Sequence, residues 1–106
     1  MQQVSPQQVS ERLAGGWSPF VLDVRSEAES AAASLAFTDM LCPHTALENV
    51  KEHLPTDRDI LVYCAMGGRS AMACQWLEAH GFKGLHNLDG GMRAWAAEID
   101  PSLIAP

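Results

Sequence analysis

Two short runs constrain this chain most. Phe20-Val21-Leu22-Asp23-Val24 and Ile60-Leu61-Val62-Tyr63 are apolar almost throughout, not at every second position. Continuously apolar segments of strand length suit strands covered on both faces, as in a parallel sheet lying between helices. Helix signals fill the gaps. Ser5-Pro6-Gln7-Gln8 supplies an N-cap, a first-turn proline and a capping box, so a helix is expected to run to about Ala14 and stop at Gly15-Gly16. Thr45-Ala46-Leu47-Glu48 has the same box and predicts a helix ending before Pro55. A further helix is expected from Ser70 to His80, with Gly81 as its C-terminal cap. Leu85 to Leu88 reads as a last strand, and Gly90-Gly91 leads into a helix with Met92, Trp95 and Ile99 on its apolar side. Between Ser26 and Leu41 the alanines favour helix and Thr38 to Leu41 a short strand. Such alternation implies an α/β domain on a mostly parallel sheet with helices on both faces.

Composition narrows the partners. At 106 residues and 47% apolar content, the chain fits one domain, 1–106, with an adequate core. A formal charge of −6 argues against nucleic acid or an anionic membrane as main partner. No apolar run approaches the roughly 20 residues of a membrane span. The opening MQQVSPQQV has neither the basic nor the apolar region of a signal peptide, so the cytoplasm is the expected location. The three cysteines, Cys42, Cys64 and Cys74, form no C-x-x-C and are expected to be free thiols.

The stretch LVYCAMGGRSAMACQWL, residues 61–77, carries the chemistry. Cys64 follows a strand and precedes a helix, and ligands gather at the carboxyl ends of parallel strands. Free amides and the dipole at a helix N-terminus favour a thiolate. Gly67 and Gly68 can take positive φ without steric cost, letting successive N–H groups curl inward as an anion nest. Ala65 and Met66 complete the loop, Arg69 adds a fixed positive charge, and Ser70 offers a cap or a hydroxyl donor. The plainer reading of a cysteine and a Gly-Gly pair is a core residue beside a turn. The glycines and arginine together favour a functional thiolate without fixing its reaction.

LDVR (22–25), CAMGGRSAMA (64–73), GF-K (81–83) and NLDGGMRAW (87–95) resemble the rhodanese-like sulfurtransferases in their single-domain form, over nearly the whole chain. The resemblance implies a five-stranded, mostly parallel sheet, with strands also near Val4 and at residues 38–41. It implies that Cys64 is the catalytic nucleophile, with residues Ala65, Met66, Gly67, Gly68, Arg69 and Ser70 binding substrate. The thiolate would take the outer sulfur of a small anionic donor such as thiosulfate and pass it to cyanide, a thiol or a sulfur carrier. No metal or organic cofactor is implied, since the cysteine carries the group. The related cell-cycle phosphatases have C-x5-R; here arginine follows after four residues and Ser70 stands where theirs would be. A shorter ring suits a single sulfur better than a phosphoryl group. The rival readings are a non-catalytic docking module, which would need neither Cys64 nor the glycines, and a protein-to-protein sulfur relay.

Other residues are weighed on the same terms. Family members commonly carry G-H-I-P-G-A where this chain has residues 33–38, Ala-Ser-Leu-Ala-Phe-Thr, so the geometry of that loop is open. Glu29 matches the family's acidic position. Asp23 and Arg25 are expected on the rim of Cys64 as supporting residues, with Arg25 salt-bridged to Glu29. Arg69 is expected to brace the loop carbonyls as well as attract anions. Cys74 reads as core, and Cys42 as a candidate second thiol able to resolve an oxidised Cys64. Cys42 and His44 alone make too few ligands for a structural zinc site. Trp17, Trp76 and Trp95 read as packing residues, as does Met66 unless it lines the pocket mouth.

Overall fold

The computed structural model describes residues 1–103. Strands β1 (Gln2–Val4), β2 (Phe20–Asp23), β3 (Met40–Leu41), β4 (Ile60–Tyr63) and β5 (Leu85–Leu88) form one sheet in the order β1-β5-β4-β2-β3. Every neighbouring pair is parallel. The helices are α1 (Pro6–Ala14), α2 (Glu27–Ala32), α3 (Gly68–Ala79) and α4 (Gly91–Glu98).

The continuous apolar runs have a direct cause. Successive strand residues point to opposite faces, and here each face has its own core. Leu22, Val24, Ile60, Val62 and Cys64 pack with Ala73, Cys74 and Leu77 of α3. Val21, Leu61, Tyr63 and Leu88 pack instead with Val9 of α1 and with Met92 and Trp95 of α4. The alternation places Cys64, one residue beyond β4, on the α3 side of the sheet.

Local signals explain most boundaries. In α1 the Gln8 N–H donates to Ser5 Oγ at 3.1 Å and the Ser5 N–H to Gln8 Oε1 at 2.9 Å, completing the expected box. A second box, Ser26 with Glu29, opens α2. The helix expected from Thr45 does not form. Two 3-10 segments, His44–Asn49 and Lys51–His53, stand there without a side-chain cap. Pro43, not Thr45, occupies the N-cap, and the Ala46 N–H closes a tight turn onto the Pro43 carbonyl at 2.8 Å. Ala46 itself leaves helical geometry at φ −119°. This short segment still buries Leu47 under the sheet. At α3 the helix begins at Gly68 rather than Ser70.

Candidate active site

Cys64 lies at the carboxyl end of the central strand β4, immediately before the turn into α3. The residue is 1% exposed, so the sulfur sits within the protein. The surrounding groups are not only apolar. The Gly67 N–H donates to Cys64 Sγ at 3.0 Å, the Ser70 N–H donates at 3.3 Å, and the Ser70 hydroxyl lies 3.3 Å away. Burial pushes the thiol up; the polar groups around it, the amides of Ser70, Met66 and Gly67 among them, outweigh it and hold the thiol below its ordinary value. No histidine or carboxylate hydrogen-bonds the sulfur among the described residues.

Of the two glycines able to take positive φ, Gly67 does so, at +104°, as the N-cap of α3. Gly68 is already helical, because one left-handed residue suffices to turn the chain from strand into helix. A Cβ on Gly67 would stand 3.3 Å from the Gly90 nitrogen. Two loops are in close contact there.

The second loop is the start of α4. The Met92 N–H donates to the Cys64 carbonyl at 2.9 Å, and the Arg93 N–H to the Ala65 carbonyl at 3.0 Å. A trans peptide points its C=O and its N–H in opposite directions. The Ala65 carbonyl shares its peptide with the Met66 N–H, so fastening it to α4 turns that amide away from α4 and towards the sulfur. Gly91 makes the approach possible: with φ +61°, its Cβ would fall 2.6 Å from the Ala65 carbonyl carbon. The glycine doublet of NLDGGMRAW thus serves the cysteine loop as much as its own helix.

The charged residues sort differently from expectation. Arg69 forms a two-pronged pair with Glu29, both N–H···O distances being 2.7 Å, and does not brace loop carbonyls. Its charge is felt at the sulfur through space. The Glu29 carboxyl is lowered to about 2, chiefly by the Arg69 hydrogen bonds. Arg25 does not salt-bridge Glu29; it reaches only the Glu29 backbone carbonyl, at 3.4 Å. Its guanidinium pairs with Asp23 at 2.8 and 2.9 Å and donates to the Ala33 carbonyl at 2.7 Å. Asp23 and Arg25 are both wholly buried, a position that fits bracing of the chain after β2 rather than contact with a donor. Arg25 also lies over the Tyr63 ring, 5.3 Å from its centre. The Tyr63 hydroxyl contacts Thr38 Oγ1 at 2.8 Å and accepts from the Leu35 N–H at 3.3 Å. These bonds shape the 33–38 loop.

Asn87 on β5 is a site residue that sequence reasoning missed. It is buried, donates to the Gly67 carbonyl at 3.2 Å and accepts from the Ser70 hydroxyl. A single asparagine in a strand carries no local signal for this; only its place in NLDGGMRAW pointed nearby. Met66 is 64% exposed at the loop and is not a packing residue, whereas Trp95 is buried. Cys42 is buried with its thiol raised by desolvation, and its sulfur's partner is the Pro43 carbonyl at 3.6 Å. Cys74 is buried in the α3 core and pushed up to about 12, first by desolvation. All three cysteines are free.

A lone thiol at a strand end, surrounded by amide donors at a helix N-terminus, defines a cysteine-based group-transfer enzyme. Comparisons give the class its family. The model of the rhodanese-like domain matches residues 5–98. A sulfurtransferase of Allochromatium vinosum is 34% identical over 98% of this chain and 95% of its own length. A putative sulfurtransferase of Bacillus subtilis is 27% identical over 95% of this chain and 96% of its own. Among solved structures, a rhodanese-related protein from Thermoplasma volcanium superposes with a TM-score of 0.82 at 27% identity, covering 93% of this chain and 94% of that one. The chain belongs to the rhodanese-like domain family, with the fold and buried loop cysteine of a rhodanese-type sulfurtransferase.

Proposed function

We propose that Cys64 carries sulfur as a persulfide between a small sulfane-sulfur donor, such as thiosulfate, and a thiophilic acceptor. The thiolate attacks the outer sulfur of the donor. A bond forms between Sγ and that sulfur, the donor's S–S bond breaks, and its electron pair leaves with the remainder, sulfite in the case of thiosulfate. An acceptor (cyanide, a thiol or a sulfur carrier) then attacks the terminal sulfur and returns Cys64 as thiolate. No external base takes part, because amides hold the nucleophile's negative charge. Residues 65–70 line the transferred sulfur, and Asp23 and Arg25 brace the chain after β2 beside the site. The chain acts as one domain, and a free-thiol mechanism favours a reducing compartment, the cytoplasm.

The observation that carries this reading is the pair of N–H groups, from Gly67 and Ser70, aimed at one sulfur. Its test is to incubate the protein with thiosulfate, read the added mass of one sulfur on Cys64, and measure thiocyanate on adding cyanide. Both signals are expected in the wild type, Cys42→Ser and Cys74→Ser, and neither in Cys64→Ser. Failure to take up sulfur from any donor would replace this reading with a docking module.

A further inference from the structure

The Ser70 hydroxyl has one proton and three acceptors around it. Cys64 Sγ lies at 3.3 Å, the Gly67 carbonyl at 3.2 Å, and Asn87 Oδ1 closest of all. Which acceptor holds the proton decides how the hydroxyl meets the sulfur. If Sγ receives it, the thiolate gains a third donor. If Asn87 receives it, the oxygen presents lone pairs to the sulfur.

The Asn87 amide settles the direction. Its Nδ2 donates to the Gly67 backbone carbonyl at 3.2 Å and to Gln3 Oε1 at 3.0 Å. The Gly67 carbonyl cannot donate, so the nitrogen must face it. The other end of the amide, Oδ1, then faces Ser70, and an amide oxygen only accepts. Asn87 and Ser70 are 2% and 0% exposed, so no bulk water replaces a lost partner. Turning the hydroxyl towards Sγ would leave Oδ1 buried without a donor, at a cost comparable to the bond gained.

We propose that Asn87 is a positioning residue that holds the Ser70 proton away from Cys64 Sγ, leaving the thiolate to the backbone amides alone. A thiolate with fewer hydrogen bonds is the better nucleophile, because nucleophilicity falls as thiolate stability rises. The amides make the anion accessible, and Asn87 keeps it from becoming inert. The other charged or titratable groups around the sulfur are fixed. Arg69 of α3 is held by Glu29 of α2, Cys74 of α3 stays a neutral thiol, and Asp23, which ends β2, and Arg25 just after it neutralise each other. Among the described groups that contact Sγ, the Ser70 hydroxyl is the one whose donation can switch. The assignment deepens the sulfur-transfer reading but concerns the unloaded thiol, so its test needs no sulfur transfer.

The experiment follows alkylation of Cys64 by iodoacetamide against pH, read by peptide mass, in wild type, Asn87→Leu, Ser70→Ala and the double variant. Freed from Asn87, the hydroxyl is expected to donate to Sγ. The Asn87→Leu midpoint then falls by about one unit and, with a Brønsted coefficient near 0.45, its high-pH plateau rate falls about threefold. In the Ser70→Ala background the Asn87 substitution is expected to move neither quantity. An unchanged midpoint in Asn87→Leu overturns the assignment, since the proton has then gone to Gly67. So does a shift that persists without Ser70, which marks general disturbance of the loop. Asn87→Ala serves the same comparison if the leucine variant does not fold.

Discussion

The backbone N–H of Met92 hydrogen-bonds the carbonyl oxygen of Cys64 at 2.9 Å. Through this bond the last helix orients a loop that precedes it by a whole helix and strand. The Met66 amide is held on the sulfur's side because the Ala65 carbonyl of the same peptide is anchored in α4. The anchor demands a residue without a side chain at Gly91, where a Cβ would meet backbone atoms that cannot move aside.

Gly91→Ala is therefore expected to damage both fold and site. Left-handed backbone and overpacking each cost about 1–3 kcal/mol, and a domain this size loses about 4–8 °C of Tm per kcal/mol. Calorimetry should find Tm lowered by about 10 °C or more. At temperatures where the variant is folded, its Cys64 should alkylate with a higher midpoint pH than wild type. A variant with unchanged Tm would contradict the close approach.

Glu29 ties acid stability to the cysteine loop. Its folded carboxyl lies at about 2, against an ordinary 4.5, because Arg69 holds the charged form. A lowered folded value stabilises above the unfolded value and loses that stabilisation as pH falls through the folded one. Wild type should thus be more stable than Glu29→Gln above about pH 4.5, with the gap closing between about 4.5 and 2. Denaturant melts across that range measure it. A gap independent of pH would detach the effect from the carboxylate.

Arg69 is expected to act on the sulfur through charge. Arg69→Ala removes the only guanidinium that the sulfur's charge senses in the loop and leaves Glu29 unpaired beside it. The Cys64 midpoint should rise, and wherever it lies above 7 sulfur uptake at pH 7 should slow by about threefold for each unit of that rise, the loss of thiolate being partly offset by its greater nucleophilicity. Arg69→Lys should recover part of the loss, since it keeps the charge and loses the two-pronged geometry. Equal midpoints in all three proteins would reduce Arg69 to a brace.

The buried Asp23–Arg25 pair should behave as structure. Arg25→Met leaves Asp23 charged and unpaired in the interior, a loss of about 3–5 kcal/mol. The double variant Asp23→Leu/Arg25→Met should be milder than the single, because no bare charge remains. Urea melts of both variants test this. A double variant worse than Arg25→Met would assign the pair's worth to contacts other than each other.

The three thiols should separate by reactivity. Cys64 is lowered by its donors, Cys42 is raised by burial alone, and Cys74 is pushed up to about 12. Limiting iodoacetamide at neutral pH is expected to label Cys64 first and to reach Cys74 only on unfolding. Labelling of Cys42 ahead of Cys64 would reverse the ranking.

Much of this architecture was legible from local pattern. Two continuously apolar runs announced buried parallel strands, and Ser5 with Gln8 announced α1, because those signals depend on neighbours in sequence. The Thr45 box misled, since Pro43 two residues earlier starts a tight turn that wins locally. Cys64 and its amides were legible because strand, glycine and helix onset lie together within 64–70. The partners from elsewhere were not. Arg69 with Glu29, Ser70 with Asn87, and Cys64 with Met92 are tertiary pairs, and nothing in a side chain's own surroundings states which distant group it will meet. The same holds for Arg25, whose pairing with Asp23 instead of Glu29 follows from the β2 terminus being sealed inside.

The cradle of the sulfur draws on Gln3 near the start of the chain, on 64–70 at its middle, and on Asn87 and 91–93 near its end. No single fragment contains it. A peptide holding only the cysteine stretch would keep every atom of the nucleophile and lose what makes it one, and two halves cut between β3 and β4 would regain that chemistry only by reassembling.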